Sequence, residues 1–205
     1  PVDAFQGAVP NSEIDAFVAR VIEASGGEVN GGLSDALNSA EEMLEGGATS
    51  DAAEVFSAII EEDNQNVKAY SGLARAKLDL EDIEGAEAVL NGVPADISES
   101  PEIEAVFAKI SLAKQALDVG PLSELEALVA SDPSNSKARF EYSQALYAAN
   151  NIEEAVAQLL ELFGRDSDWN DGAAKAQLFT IFDALEPNDP IVLNGRRKLS
   201  SMIFA

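Results

Sequence analysis

The sequence predicts an all-α fold: a right-handed helical solenoid of about four helix-turn-helix units, the third irregular, closed by a C-terminal capping helical segment. Three observations predict it. Ala52-Ala53-Glu54-Val55-Phe56, Ala86-Glu87-Ala88-Val89-Leu90 and Ala155-Val156-Ala157-Gln158-Leu159 repeat an alanine with a large apolar residue four positions on. The alanines at 52 and 86 are 34 residues apart and those at 86 and 155 are 69 apart, one more than twice 34. A fixed period of that length marks stacked two-helix units, each able to bury its apolar face only against its neighbours. Turn-forming clusters also separate the helix-period segments, as such units require.

Bulk properties agree. An apolar content of 46% supports a packed core rather than a disordered chain. The 37 acids against 13 bases give a net charge of -24, which repels nucleic acid and anionic membrane surfaces. Residues 1 to 66 hold 14 of the acids and a single base, Arg20. Cysteine and histidine are both absent, which removes thiol nucleophiles, disulfides, Cys/His zinc sites and the ordinary histidine general base. No apolar run approaches the ~20 residues needed to cross a bilayer. The N-terminus has no basic and apolar export signal, so a soluble, cytoplasmic chain is expected. It begins Pro1-Val2 rather than with Met, as a processed or cut polypeptide would.

Along the chain, residues 1–24 give a brief strand at Val2-Asp3-Ala4-Phe5 and a helix with Ile14, Phe17, Val18, Val21 and Ile22 on one face. Residues 25–32, with four glycines, read as a linker. Residues 33–205 form the helical domain, and the 34-residue length of its unit is that of the tetratricopeptide repeat. The first unit spans 33–66, with a turn at Gly46-Gly47 and an exit at Asp63-Asn64-Gln65-Asn66; the second spans 67–100, with Tyr70, Leu73 and Ala74 facing inward. Ser100-Pro101-Glu102 starts the third by cap and helix-initiating proline. Its second helix, between Gly120 and Asp132-Pro133, is expected to be about one turn shorter than the others. Tyr142, Ser143, Leu159, Leu162 and Phe163 continue the inward pattern in the fourth unit. Two last helices, around 171–185 and after Pro190, should cap the array, with Val192, Leu193, Leu199, Met202, Ile203 and Phe204 as the apolar residues of the final one.

No catalytic, cofactor or metal motif is present. Asp166-Ser167-Asp168-Trp169-Asn170-Asp171 opens like a calcium loop, but Asp171 and Gln177 stand where Gly and a bidentate Glu are required. A polar turn in which Asp168 or Asn170 caps the next helix is expected instead. Neither a phosphate-binding glycine loop nor a nucleophile elbow occurs, so no enzyme activity and no cofactor are expected.

The repeat frame places Lys68, Ser71 and Arg75 on the groove-lining face of the second unit, Lys114 on the third, and Lys137, Phe140, Gln144 and Tyr147 on the fourth. Such a mixture of bases and aromatic rings can hold the acidic groups and apolar side chains of a peptide, although solenoid grooves are polar in any case. Arg196-Arg197-Lys198 is the one dense basic cluster, at a place where a helix end favours cations.

The two ends carry a resemblance. Pro1-Val2-Asp3-Ala4-Phe5-Gln6-Gly7-Ala8-Val9-Pro10 with the helix through Phe17 resembles the last strand and helix of a thioredoxin domain. Asp168-Trp169-Asn170-Asp171-Gly172-Ala173-Ala174-Lys175, Gln177-Leu178-Phe179 and Arg196-Arg197-Lys198-Leu199-Ser200-Ser201-Met202-Ile203-Phe204 resemble the tail of bacterial thioredoxin-tetratricopeptide proteins, the YbbN-type cochaperedoxins. The resemblance implies a holdase region of a thioredoxin-like co-chaperone that binds unfolding clients and passes them to a chaperonin or other chaperones. Arg196, Arg197, Leu199, Met202 and Phe204 would then be docking residues. Leu199, Met202, Ile203 and Phe204 are otherwise the core of the cap. The alternative is the substrate-recruiting region of a thioredoxin-type disulfide oxidoreductase.

Overall fold

A computed structural model describes residues 29–204; every regular element among them is helical, with ten α-helices and one 3-10 segment. Residues 1–24, expected to be a thioredoxin-like remnant, lie outside the described residues. The chain divides into two compact units between Val106 and Phe107.

In the first unit α1 (Val29–Glu45) pairs with α2 (Thr49–Glu62) and α3 (Val67–Asp79) with α4 (Ile83–Asn91), after which α5 (Pro101–Leu117) begins. α1 packs on α2, α2 on α3 and α3 on α4, and α1 also lies against α3, so the first helices of successive pairs are neighbours. Leu33, Ala36 and Ala40 on α1, Ala52, Val55, Phe56 and Ile59 on α2, and Ala69 on α3 make one core. Their i, i+3, i+4 spacing gives each helix a single apolar stripe. Phe56 fits because α3 has no side chain at Gly72, where a Cβ would stand 2.4 Å from the ring.

The second unit contains the rest of α5 from Phe107, α6 (Leu122–Ser131), α7 (Ser136–Ala148), α8 (Ile152–Arg165), a 3-10 segment (Trp169–Gly172), α9 (Ala173–Ala184) and α10 (Pro190–Ile203). α6 packs on α7, α7 on α8, and α8 on both α9 and α10. Val156, Leu159, Leu160 and Leu162 of α8 share a core with Leu178, Ile181 and Phe182 of α9 and Val192 and Leu199 of α10. The final two helices therefore cover the apolar face of α8.

The alanine frame is visible in the packing. Ala52, Ala86 and Ala155 are all at 0% exposure, and Phe56, Leu90 and Leu159 are buried beside them. The backbone repeats too: Gly47 (φ 81°), Glu81 (φ 60°) and Asn150 (φ 61°) are left-handed, at the same intervals of 34 and 69. The N–H of the next residue closes each turn by donating to a carbonyl in the preceding helix, Ala48 to Met43 at 2.8 Å, Asp82 to Lys77 at 2.9 Å and Asn151 to Leu146 at 2.8 Å. This is helix termination by a left-handed residue, satisfying carbonyls the helix leaves open. The exits match as well. Asn66 and Asn135 cap α3 and α7 by accepting from Ala69 at 3.1 Å and Ala138 at 3.0 Å.

Four expectations are corrected. Residues 29–32 of the expected linker are helical, since α1 already includes them. α6 has 10 residues against 14 in α2 and α8, but α4, with 9, is shorter still. Ser100 precedes α5 as expected, yet its hydroxyl has no hydrogen-bond partner, and its carbonyl receives the Ile103 and Glu104 N–H groups. Neither Asp168 nor Asn170 caps the helix that follows. Asn170 (φ 48°), Asp171 (φ 57°) and Gly172 (φ 80°) instead form a left-handed run that turns the chain into α9.

Candidate functional site

Two surfaces contain the residues singled out above: the exposed side of the first helices, and the end of the chain. In the first unit, Lys68 is exposed, while Ser71 is buried and its hydroxyl donates to the Lys68 carbonyl at 3.1 Å. Ser71 thus serves α3 rather than a ligand. Arg75 Nη2 donates to Glu41 Oε1 at 2.5 Å across α1 and α3. Glu41 was not singled out in the sequence, although it lies 34 residues before Arg75 and so occupies the same position in the preceding repeat.

In the second unit α7 presents Phe140, Gln144 and Tyr147 at i, i+4 and i+7, which is one helix face. Phe140 lies against Trp169, with ring centroids 5.3 Å apart and planes tilted by 49°. Gln144 Nε2 donates to Gln115 Oε1 at 3.0 Å, and Gln177 Nε2 donates to the same oxygen at 2.6 Å. Three amides, from α5, α7 and α9, therefore meet at one point. Gln115 and Gln177 were not foreseen; their meeting depends on how the helices stack, and no spacing rule announces it. Tyr147 is half-buried and packs against the core, and burial raises its hydroxyl pKa above the ordinary 10.0. Lys137 is exposed and lies 3.6 Å from Glu141 on its own helix. Lys114 is exposed on α5.

Of the groove bases, Arg75 and Lys137 thus each face a carboxylate of this chain. Arg139, not singled out, is 4% exposed and ties α7 to its neighbours through Gln158, Glu161 and the Pro133 carbonyl.

At the C-terminus the structure separates the two possibilities. Leu199 is 3% exposed and belongs to the core, so it is not a docking residue. Met202, Ile203 and Phe204 are 42%, 44% and 86% exposed, so they are not the core of the cap; Leu193 is exposed as well. The helical turn explains the split, since Val192, Gly195 and Leu199 fall on the inward face and leave the others outside. Arg196 sits 5.8 Å from the centroid of the Phe182 ring and 3.6 Å from Asp183, and Arg197 donates to Asn194. Met202 and Ile203 line a cleft of about 1200 Å³ with Phe163, Lys175 and Phe179. Among the described residues, no helix is long and apolar enough to cross a membrane.

Models of protein families agree with this geometry. Models of the tetratricopeptide repeat match residues 36–110 and residues 115–204. An uncharacterised protein of Haemophilus influenzae is 26% identical over 142 residues, covering 69% of this chain and 64% of its own length. An uncharacterised protein of Mycobacterium tuberculosis is 22% identical over 212 residues, covering the whole of this chain and 58% of its own length. The chain thus spans about three fifths of the curated relatives it matches. A crystallised domain of unknown function from Vibrio parahaemolyticus is 24% identical, with a TM-score of 0.39, covering 82% of this chain and 98% of that domain. With helical pairs, repeated turns and both model matches in agreement, the stretch from residue 36 to residue 204 is a tetratricopeptide repeat region.

Proposed function

We propose that this chain is the protein-binding region of a thioredoxin-like co-chaperone, a holdase that keeps unfolding cytoplasmic clients soluble and delivers them to a chaperonin or another chaperone. Tetratricopeptide regions are protein-interaction modules, and none of the residues described brings nucleophile, base or metal ligands together for chemistry. The observation that carries the binding reading is the α7 face, where half-buried aromatic rings flank polar amides. Rings supply apolar contact to an exposed side chain, and amides supply both donors and acceptors. The co-chaperone assignment rests on the resemblance of the two ends of the chain. Arg196, Arg197, Met202 and Phe204 are the residues proposed to meet the chaperone.

The test is suppression of aggregation. The purified chain is added in increasing ratio to citrate synthase at a denaturing temperature, and light scattering is followed. Scattering should fall as the ratio rises, with the client recovered in a soluble complex. Unchanged scattering at a large excess of the chain would overturn the holdase reading.

A further inference from the structure

We infer that the second unit recognises the uncharged backbone of an extended polypeptide through the amide of Gln144, oriented by Gln115, which the buried Gln177 holds in turn, rather than acidic side chains through its bases. This deepens the proposed function and rests on it. Gln115 Oε1 accepts from both Gln144 and Gln177, which uses both lone pairs of that oxygen and fixes the orientation of all three amides. Gln115 also donates to Ser111 Oγ at 3.4 Å. Gln144 spends one N–H on Gln115, leaving a donor and its carbonyl acceptor for another molecule. An amide offering one donor and one acceptor matches a peptide group, which offers the same two in return.

The surroundings favour a neutral ligand. Lys137 faces Glu141, and Arg139 is enclosed by Gln158, Glu161 and the Pro133 carbonyl. Beside Gln144, Phe140 with Trp169 stands about one turn toward the start of α7, and Tyr147 about one turn toward its end. Seven residues of helix span about 10 Å, the length of roughly three residues of extended chain. The face therefore fits a short stretch of backbone over the amide with apolar side chains against the rings on either side. Reading backbone rather than side chains suits a region that must hold clients of unrelated sequence.

The test measures fluorescence anisotropy of a labelled, unstructured peptide of Ser, Thr, Leu and Phe with the full chain. It is repeated with an analogue whose central amides are esters, which lack the N–H donor, and with one in which Asp replaces the Ser residues. The ester analogue should bind about fivefold more weakly, and Gln144→Leu should weaken the parent peptide by a similar factor, each reflecting about one lost hydrogen bond. The Asp analogue should bind no tighter than the parent. Gln144→Glu, with unfolding midpoint and helicity matched to the wild type, should also weaken the parent peptide. Equal affinity for ester and amide, or tighter binding of the Asp analogue, would overturn the inference while leaving client binding intact. If neither the peptide nor heat-unfolded citrate synthase binds, the proposed function fails and the inference falls with it.

Discussion

Arg75 Nη2 lies 2.5 Å from Glu41 Oε1, and the two residues are 34 apart, so one position of the repeat is an acid in one unit and its partner base in the next. The pair joins α1 to α3, the first helices of two successive helical pairs. Both side chains are about one third exposed, which limits the strength of the bond. A double-mutant cycle with Glu41→Ala and Arg75→Ala should give a coupling of ~0.2–1 kcal/mol in urea unfolding, falling as salt is added. A coupling of zero at low salt would mean the two do not hold each other in solution.

Gly72→Ala should cost ~1–3 kcal/mol, because the added methyl group would meet the Phe56 ring 2.4 Å away in a fully buried position. Combining it with Phe56→Leu should cost less than the sum of the two single changes, since the smaller side chain relieves the crowding. Additive costs by chemical denaturation would show that glycine is not what admits the ring.

Asp82 caps α4 by accepting from the Gly85 N–H at 2.9 Å, and Lys77 donates to its other oxygen at 3.1 Å. First the Gly85 bond and then the Lys77 bond hold its pKa below the ordinary 3.8. A carboxylate lowered on folding stabilises the protein above its ordinary pKa, and that contribution is lost as pH falls toward the folded value. Asp82→Asn should therefore be less stable than the wild type near neutral pH, with the gap closing as pH falls through 3.8. Urea midpoints measured across that range check the sign, and a gap that widens in acid would contradict it.

The C-terminal helix should behave as two surfaces. Leu199→Ala should cost ~2–5 kcal/mol, because the side chain is buried against α8 and α9. Phe204→Ser should stay within ~0.5 kcal/mol of the wild type while changing affinity for a chaperone partner. Thermal unfolding of the two variants, compared directly, separates core from contact surface.

Much of the fold was legible because its determinants are local. The alanine period located the helical pairs, and the break ending at Pro190 separated the last two helices, although the structure puts Pro190 inside α10 at its first position, with Asp189 as its cap. The same period could have supplied more, since Gly47, Glu81 and Asn150 recur with it and all take left-handed backbone. What it could not supply was the meeting of long side chains between helices. Gln115, Gln144 and Gln177 converge through the stacking of α5, α7 and α9, and their spacings are too irregular for a repeat rule to pair them. The left-handed run at Asn170, Asp171 and Gly172 escaped for a different reason: Asp168 and Asn170 satisfy cap composition, but the chain turns through them instead.

Photo-crosslinking tests most directly whether the first helices carry the protein partner. With p-benzoylphenylalanine placed at Tyr147 on α7 in one variant and at the exposed Leu128 on α6 in another, each is irradiated with unfolding citrate synthase. The probe at 147 should yield crosslinked client in proportion to the protection from aggregation, and the probe at 128 should yield little. Equal crosslinking from both positions, or none from 147 while aggregation is still suppressed, would contradict binding on the α7 face.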